Sequence, residues 1–413
     1  MASNEIITLE NGLKIVLYQD NTKHVTQANL IIKYGSKYNK IKINNKIIDI
    51  PNGTAHFLEH ILIEHTIYGN ILTRFKERNI RTNGITNQNF TYYYIDTVKN
   101  FEENLIELIK AINTRSFNEE DVETTRHAII KEKMASVDKK SRKVAKKTYE
   151  CLFKNITYPN TLGEIEDIKN ISYETLSNIY DIVYQINNQV LVISGNFDKD
   201  KILKIIKNTY NEINKKEIPY EFIKPQEKNN INLKYGIVKD DVHLNYVSLS
   251  YKVNISHLTP FERVQLDFIL TWFLNSTFGS SSPIYHNFVK NNICNNSINI
   301  RIETIYDFIV ITIGTSIISK EDEFIQTIEQ ALKEKTFNEY DFNIYKKQEI
   351  IELILREDSL GTKLDPYISN ILIHNYNDID KIEDIENITF EKYKSTINSL
   401  DFSNYSIIKL EKE

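Results

Sequence analysis

Two histidines four residues apart, His56 and His60, flank a glutamate, Glu59, in the run Pro51-Asn52-Gly53-Thr54-Ala55-His56-Phe57-Leu58-Glu59-His60-Ile61-Leu62. The run reads as a turn, a threonine cap and an apolar helix. Residues four apart on a helix share a face, so the two imidazoles can meet one cation while Glu59 projects beside them. That donor set suits zinc, which lowers the pKa of a bound water to about 7 and leaves a neighbouring carboxylate to take the proton. With 9 histidines in 413 residues, such a spacing arises by chance in roughly one or two chains per hundred. The bland alternative is a helix whose histidines and glutamate bond only to one another.

A catalytic zinc commonly takes three protein ligands and keeps one position open. A third donor must therefore come from elsewhere, and Glu132 is the choice. It lies on a second predicted helix whose Ile129 and Ile130 would face the core. Glu123 and His127 compete for the role. His65, five positions after His60, is rotated off the ligand face and is assigned a structural or solvent role.

The elements that must position these groups are mixed. Leu13–Leu17, Gln27–Tyr34, Thr91–Val98 and Val190–Ser194 read as strands. Phe101, Leu105, Ile106, Leu108, Ile109 and Ile112 recur at helical spacing after Asn100, and a second helical pattern runs from about Asn118 through Lys133. No Gly-rich phosphate loop is present, so an α+β arrangement of sheet and helices is expected rather than a nucleotide-binding fold.

One internal similarity organises the whole. The decapeptide 165–174 returns at 382–391 with seven identical positions, and Ser172/Thr389 and Tyr173/Phe390 are conservative exchanges. In both copies the hydroxyl residue can cap a following helix. Two tandem homologous halves are implied, with a zinc-bearing domain over residues 1–210, a polar linker over 211–230 and a second domain, without zinc ligands, over 231–413.

Composition narrows the function. An apolar fraction of 41% and a charged fraction of 26% are those of a globular protein. A net charge of −5 leaves no electrostatic footprint for nucleic acid. The basic run Lys139, Lys140, Arg142, Lys143, Lys146 and Lys147 reads as a solvated helix face. Only 2 cysteines are present, Cys151 and Cys294, which suits a reducing compartment, and the cytoplasm is the expected one. No leader pattern and no apolar run of membrane-spanning length is seen, so no membrane partner is expected.

At its metal motif the chain resembles the inverted zinc peptidases of the pitrilysin, insulinase and mitochondrial-processing-peptidase family, whose His-x-x-Glu-His order is a recognised zinc motif. Asn11-Gly12-Leu13 and Gly35-Ser36 are similar to stretches before the family's zinc helix. Asn83-Gly84-Ile85-Thr86 and Thr91-Tyr92-Tyr93 are similar to its Asn-Ala-x-Thr and Thr-x-Tyr strand. The resemblance implies a zinc metalloendopeptidase with Zn2+ on His56, His60 and Glu132, and Glu59 as general base. It also implies a peptide substrate added as a strand near Asn83 and Gly84, for which a plain turn is the competing reading.

Two departures stand out. Two helical turns before Glu132 the family usually carries another glutamate, and this chain has Thr125. Members that work alone carry an Arg and a Tyr after a Ser-rich turn in the second half. Here that turn resembles Gly279-Ser280-Ser281-Ser282-Pro283, and Val289 and Asn296 stand at the Arg and Tyr positions. A second homologous subunit supplying that pair is therefore expected, making this chain the zinc-holding half of a heterodimer. The stretch Ile50–His60 looks closest to small bacterial two-subunit members that mature ribosomally made peptides. A non-catalytic scaffold or a peptide-binding subunit of the same fold is the alternative.

Overall fold

A computed structural model of the chain describes residues 3–136, 140–295, 297–358, 373–374 and 381–413. Lys139 and Asn296, both singled out above, lie outside the described residues. Within them the chain forms two compact units, each with its own sheet and core.

The first unit takes in residues 3–136, 159–223 and 373. Its strands are β1 (Ser3–Thr8), β2 (Lys14–Gln19), β3 (Thr26–Ile32), β6 (Arg81–Thr86), β7 (Thr91–Thr97) and β8 (Gln189–Gly195). They form one sheet in the order β1-β2-β8-β3-β7-β6. The central strands β3 and β8 are buried at every position. Residues 190–193 of β8 form a continuous apolar run, as a strand covered on both faces requires, whereas β3 also buries the polar Thr26, Gln27 and Asn29. Three helices matter for the site: α1 (Thr54–Glu64), α3 (Phe101–Asn113) and α4 (Glu119–Ser136); a short α2 (Ile71–Glu77) follows α1. On α3 the apolar side chains Leu105, Leu108, Ile109 and Ile112 recur on one face, and all are buried against the same core as Leu30, Ile95, Phe57 and Leu58. Glu102 and Glu103 occupy its first turn, where carboxylates suit the helix dipole.

The second unit takes in residues 140–158, 224–358, 374 and 381–413. Strands β10 (Tyr235–Asp240), β11 (Tyr246–Asn254), β12 (Asn299–Ile305), β13 (Phe308–Ser316) and β14 (Tyr405–Lys412) run in the order β10-β14-β11-β13-β12. With β1 set aside, the first sheet has the same plan. In each, one outer pair is parallel (β2 with β8, β10 with β14) and the remaining pairs are antiparallel. The duplicated decapeptide falls at matching places as well. Ser172 accepts a hydrogen bond from the Thr175 amide at the start of helix Tyr173–Val183, and Thr389 accepts one from the Lys392 amide at the start of helix Phe390–Ser399. The α+β fold of two homologous halves is thus seen in topology and in capping.

Two segments depart from the expected boundaries. The stretch 211–230 is not all linker, because Glu221–Phe222 (β9) pairs with β4 (Lys40–Ile43), itself paired with β5 (Lys46–Asp49). Phe222 stacks on Tyr38 with ring centroids 4.2 Å apart, and that apolar contact draws the segment onto the first unit. Helix α5 (Lys140–Leu152), expected within the domain 1–210, belongs to the second unit. Its Tyr149 and Leu152, with Phe153, are buried among Ile305, Phe308 and Val310. The basic run on α5 is not a free solvated face: Lys143 pairs with Asp240 at 2.7 Å, Lys147 pairs with Glu150 at 2.7 Å, and Lys140 donates to the Asp241 carbonyl.

Candidate metal centre

Helix α1 begins differently from its sequence reading. Gly53, not Thr54, holds the cap position, in the left-handed region at φ 87°. Thr54 is the first helical residue, and its hydroxyl donates to the Pro51 carbonyl at 2.7 Å. The reason is close backbone approach: a Cβ on Gly53 would stand 2.8 Å from the Leu162 carbonyl oxygen, so a side chain is excluded there on two counts.

From that start α1 buries Phe57, Leu58, Ile61 and Leu62 and turns His56 and His60 towards α4. The ring centroids of the two histidines are 4.6 Å apart. Glu132 arrives from α4, whose position is fixed by a buried arginine. The Arg126 guanidinium donates to the Ile171 carbonyl at 2.8 Å, to the Lys169 carbonyl at 3.1 Å and to the Ile168 carbonyl, and it also holds Glu123. Next to Glu132, the buried Lys133 pairs with Glu164 at 3.1 Å. These contacts leave Glu132 little freedom in height along the α1 surface.

Glu132 Oε2 lies 3.4 Å from His60 Nε2 and 3.7 Å from His56 Nε2. All three ligand atoms are within 4.8 Å of one another, and no other such cluster occurs among the described residues. Donor atoms about 2.1 Å from a tetrahedral zinc stand about 3.4 Å from each other, so the separations fit one small cation. The competitors are elsewhere: Glu123 is bound to Arg126 and His127 is exposed outside the cluster. His65 turns to Asp121 at 2.9 Å.

Electrostatics point the same way. Burial, with His60 beside it, pushes the His56 imidazole down to about 3, so it stays neutral and keeps a lone pair for a metal. Burial pulls His60 down too, but Glu64, Glu59 and Glu132 outweigh it and the net shift is upward. Burial raises the Glu59 carboxyl, with Glu132 adding to the effect and Thr86 and His60 opposing it. A carboxylate raised in this way is a stronger base than an exposed one.

Gly84 lies on the edge strand β6, paired with Tyr93, and is not in a turn. A Cβ there would stand 2.4 Å from Ile63 Cδ1 and 2.8 Å from Glu59 Cγ, so only glycine lets β6 lie this close to α1. Asn83 is exposed beside it. Sequence reasoning missed Thr86, two residues further along the same strand face, whose hydroxyl donates to Glu59 Oε2 at 2.7 Å. It also missed Glu64, whose Oε1 is 3.4 Å from His60 Nδ1. Strand period and helix period, each counted from a residue already singled out, were the available signals. In the second unit Ser282 caps helix Pro283–Lys290, which carries Val289.

Comparison with known proteins adds to this geometry. Residues 14–164 match the family described as Insulinase (Peptidase family M16), and residues 170–349 match the Peptidase M16 inactive domain. An uncharacterized zinc protease, YmfH of Bacillus subtilis, is 25% identical over 289 residues, 67% of this chain and 65% of that protein. The zinc protease PqqE of Helicobacter pylori is 23% identical over 61% of this chain and 57% of its own length. The chain thus matches less than two thirds of the length of these curated relatives. Its fold is that of a putative M16-like peptidase from Alicyclobacillus acidocaldarius, with a TM-score of 0.90 at 20% identity, covering 100% of this chain and 99% of that one. No helix among the described residues is long and apolar enough to cross a membrane.

Proposed function

The chain belongs to the M16 insulinase family of peptidases, and from that membership and the cluster on α1 and α4 we propose that it is a zinc metalloendopeptidase. His56, His60 and Glu132 would hold the ion. When bound, zinc supplies Lewis acidity at the scissile carbonyl and lowers the pKa of the attacking water. Glu59 takes a proton from that water and returns it to the leaving amine, and its carboxylate is kept on line by Thr86. The observation that carries this reading is the meeting of three donor atoms within 4.8 Å of one another with a buried carboxylate, Glu59, on the same helix.

The substrate proposed is a peptide in extended form, paired with the outer edge of β6 at Asn83 and Gly84. Main-chain hydrogen bonds would supply affinity and hold the scissile bond beside Glu59. Leader removal from a ribosomally made precursor, in the cytoplasm, is the role we favour, on the resemblance at Ile50–His60. Val289 at the place of the family's arginine supports a second homologous subunit bringing an Arg and a Tyr. The test is Glu59→Gln in the full chain, assayed on a quenched peptide library with and without such a subunit encoded beside it. Zinc retained with cleavage reduced by orders of magnitude is expected. Unchanged turnover would remove Glu59 from the chemistry, and full activity of the chain alone would reject the need for a partner.

A further inference from the structure

A ligating imidazole is oriented by whatever its outer nitrogen binds, and the usual partner is a carboxylate or a carbonyl. For His56 that nitrogen, Nδ1, is buried with no hydrogen-bond partner among the described residues. His60 is different. Its Nδ1 faces Glu64 Oε1 at 3.4 Å, one turn further along α1. The second oxygen of Glu64 is engaged across the helix pair, where Thr125 Oγ1 on α4 donates to Oε2 at 3.4 Å. His65 Nε2 stands 3.9 Å from the same oxygen, and His65 is itself fixed by Asp121 at 2.9 Å. Thr125 is wholly buried, so its hydroxyl has a defined position from which to hold Glu64.

These contacts link α4 back to the candidate metal cluster: Thr125 to Glu64, and Glu64 to His60, which would hold the ion. We infer that Glu64 is the positioning residue for His60, with its carboxylate fixing the tautomer and plane of the ring and Thr125 fixing the carboxylate. This rests on the zinc-holding reading of His56, His60 and Glu132. Glu64 contacts neither substrate nor ion in this role, and it acts only through His60. The space it occupies is also within reach of position 125, since Thr125 Oγ1 touches Glu64 Oε2. A carboxylate carried by α4 at that point would enter the same gap.

The test is zinc affinity of the full chain, measured by competition with a chromophoric chelator, for the natural protein, Glu64→Ala and Glu64→Ala/Thr125→Glu. Glu64→Ala should weaken zinc binding by about tenfold to a hundredfold, the range for loss of a ligand's supporting partner, and the added carboxylate at 125 should recover most of it. Unchanged affinity in Glu64→Ala overturns the inference and leaves the zinc site standing, as does a loss that Thr125→Glu leaves untouched. A natural chain that binds no zinc overturns both. Should Glu64→Ala fail to fold, Glu64→Gln keeps the shape without the charge; a several-fold loss supports the role, and none overturns it.

Discussion

The Thr86 hydroxyl donates to Glu59 Oε2 at 2.7 Å, joining the edge strand of the first sheet to the helix that carries both histidines. Thr86 also lies 3.2 Å from the Thr91 hydroxyl across the β6–β7 hairpin, so the donor is itself held in place. A base aimed at one point needs this kind of support, because small errors in its position are costly in rate.

Thr86→Val keeps the shape and removes the donor. One hydrogen bond to a charged group is worth about 1.5 kcal/mol or more, so kcat should fall about tenfold or more with KM little changed and zinc content intact. Steady-state kinetics on any cleaved peptide, together with metal analysis, check this. A rise in KM with kcat unaltered would assign Thr86 to substrate binding instead.

Gly84→Ala tests the close packing of β6 on α1. The new methyl would meet Ile63 Cδ1 at 2.4 Å and Glu59 Cγ at 2.8 Å. Overpacking of this sort costs about 1–3 kcal/mol, and relief by moving Glu59 would reduce cleavage. Urea unfolding of the metal-free chain should show the loss; stability and activity both equal to the natural protein would show that the strand and helix part easily.

In the second unit Lys252 is fully buried and spends its three protons on Glu227 at 2.9 Å and on the Leu152 and Asn230 carbonyls, each at 3.1 Å. Lys252→Met leaves Glu227 buried without its cation, and breaking such a pair costs about 3–5 kcal/mol. Lys252→Met/Glu227→Gln should be less destabilised than Lys252→Met alone, as read by thermal unfolding.

The same pair predicts a pH dependence. Burial pushes the Glu227 carboxyl up, but Lys252 and the Asn155 and Lys154 amides outweigh it, and the net shift is below its ordinary 4.5. A folded-state value below the unfolded one means that the stabilisation is present above the unfolded value and is lost as pH falls through the folded one. Burial draws Lys252 down as well, which acts on the alkaline side. Stability of the natural chain should therefore drop on acidification below about pH 4.5, and the double variant should drop less over that window.

Much of the site was legible because its parts obey simple periods. His56 and His60 follow from helix spacing, and Glu132 from an apolar pattern together with a family likeness. Glu64 obeys the same spacing from His60 and was passed over, since nothing in the sequence says that Thr125 stands across from it. The strands at Thr91 and Val190 were visible as apolar or alternating runs. By contrast, the cap at Gly53 depends on a backbone more than a hundred residues away, at Leu162. The membership of α5 in the second unit is set by Tyr149 and Leu152 fitting Phe308 and Val310, a match of surfaces that no local pattern carries.

Zinc content of the purified full chain tests the central claim most directly. The account predicts about one zinc per chain for the natural protein and close to none for His60→Ala or for Glu132→Ala, with the fold of each variant retained by circular dichroism. A natural chain free of metal after exposure to zinc, or a Glu132→Ala chain that binds it as tightly as the natural one, would contradict it.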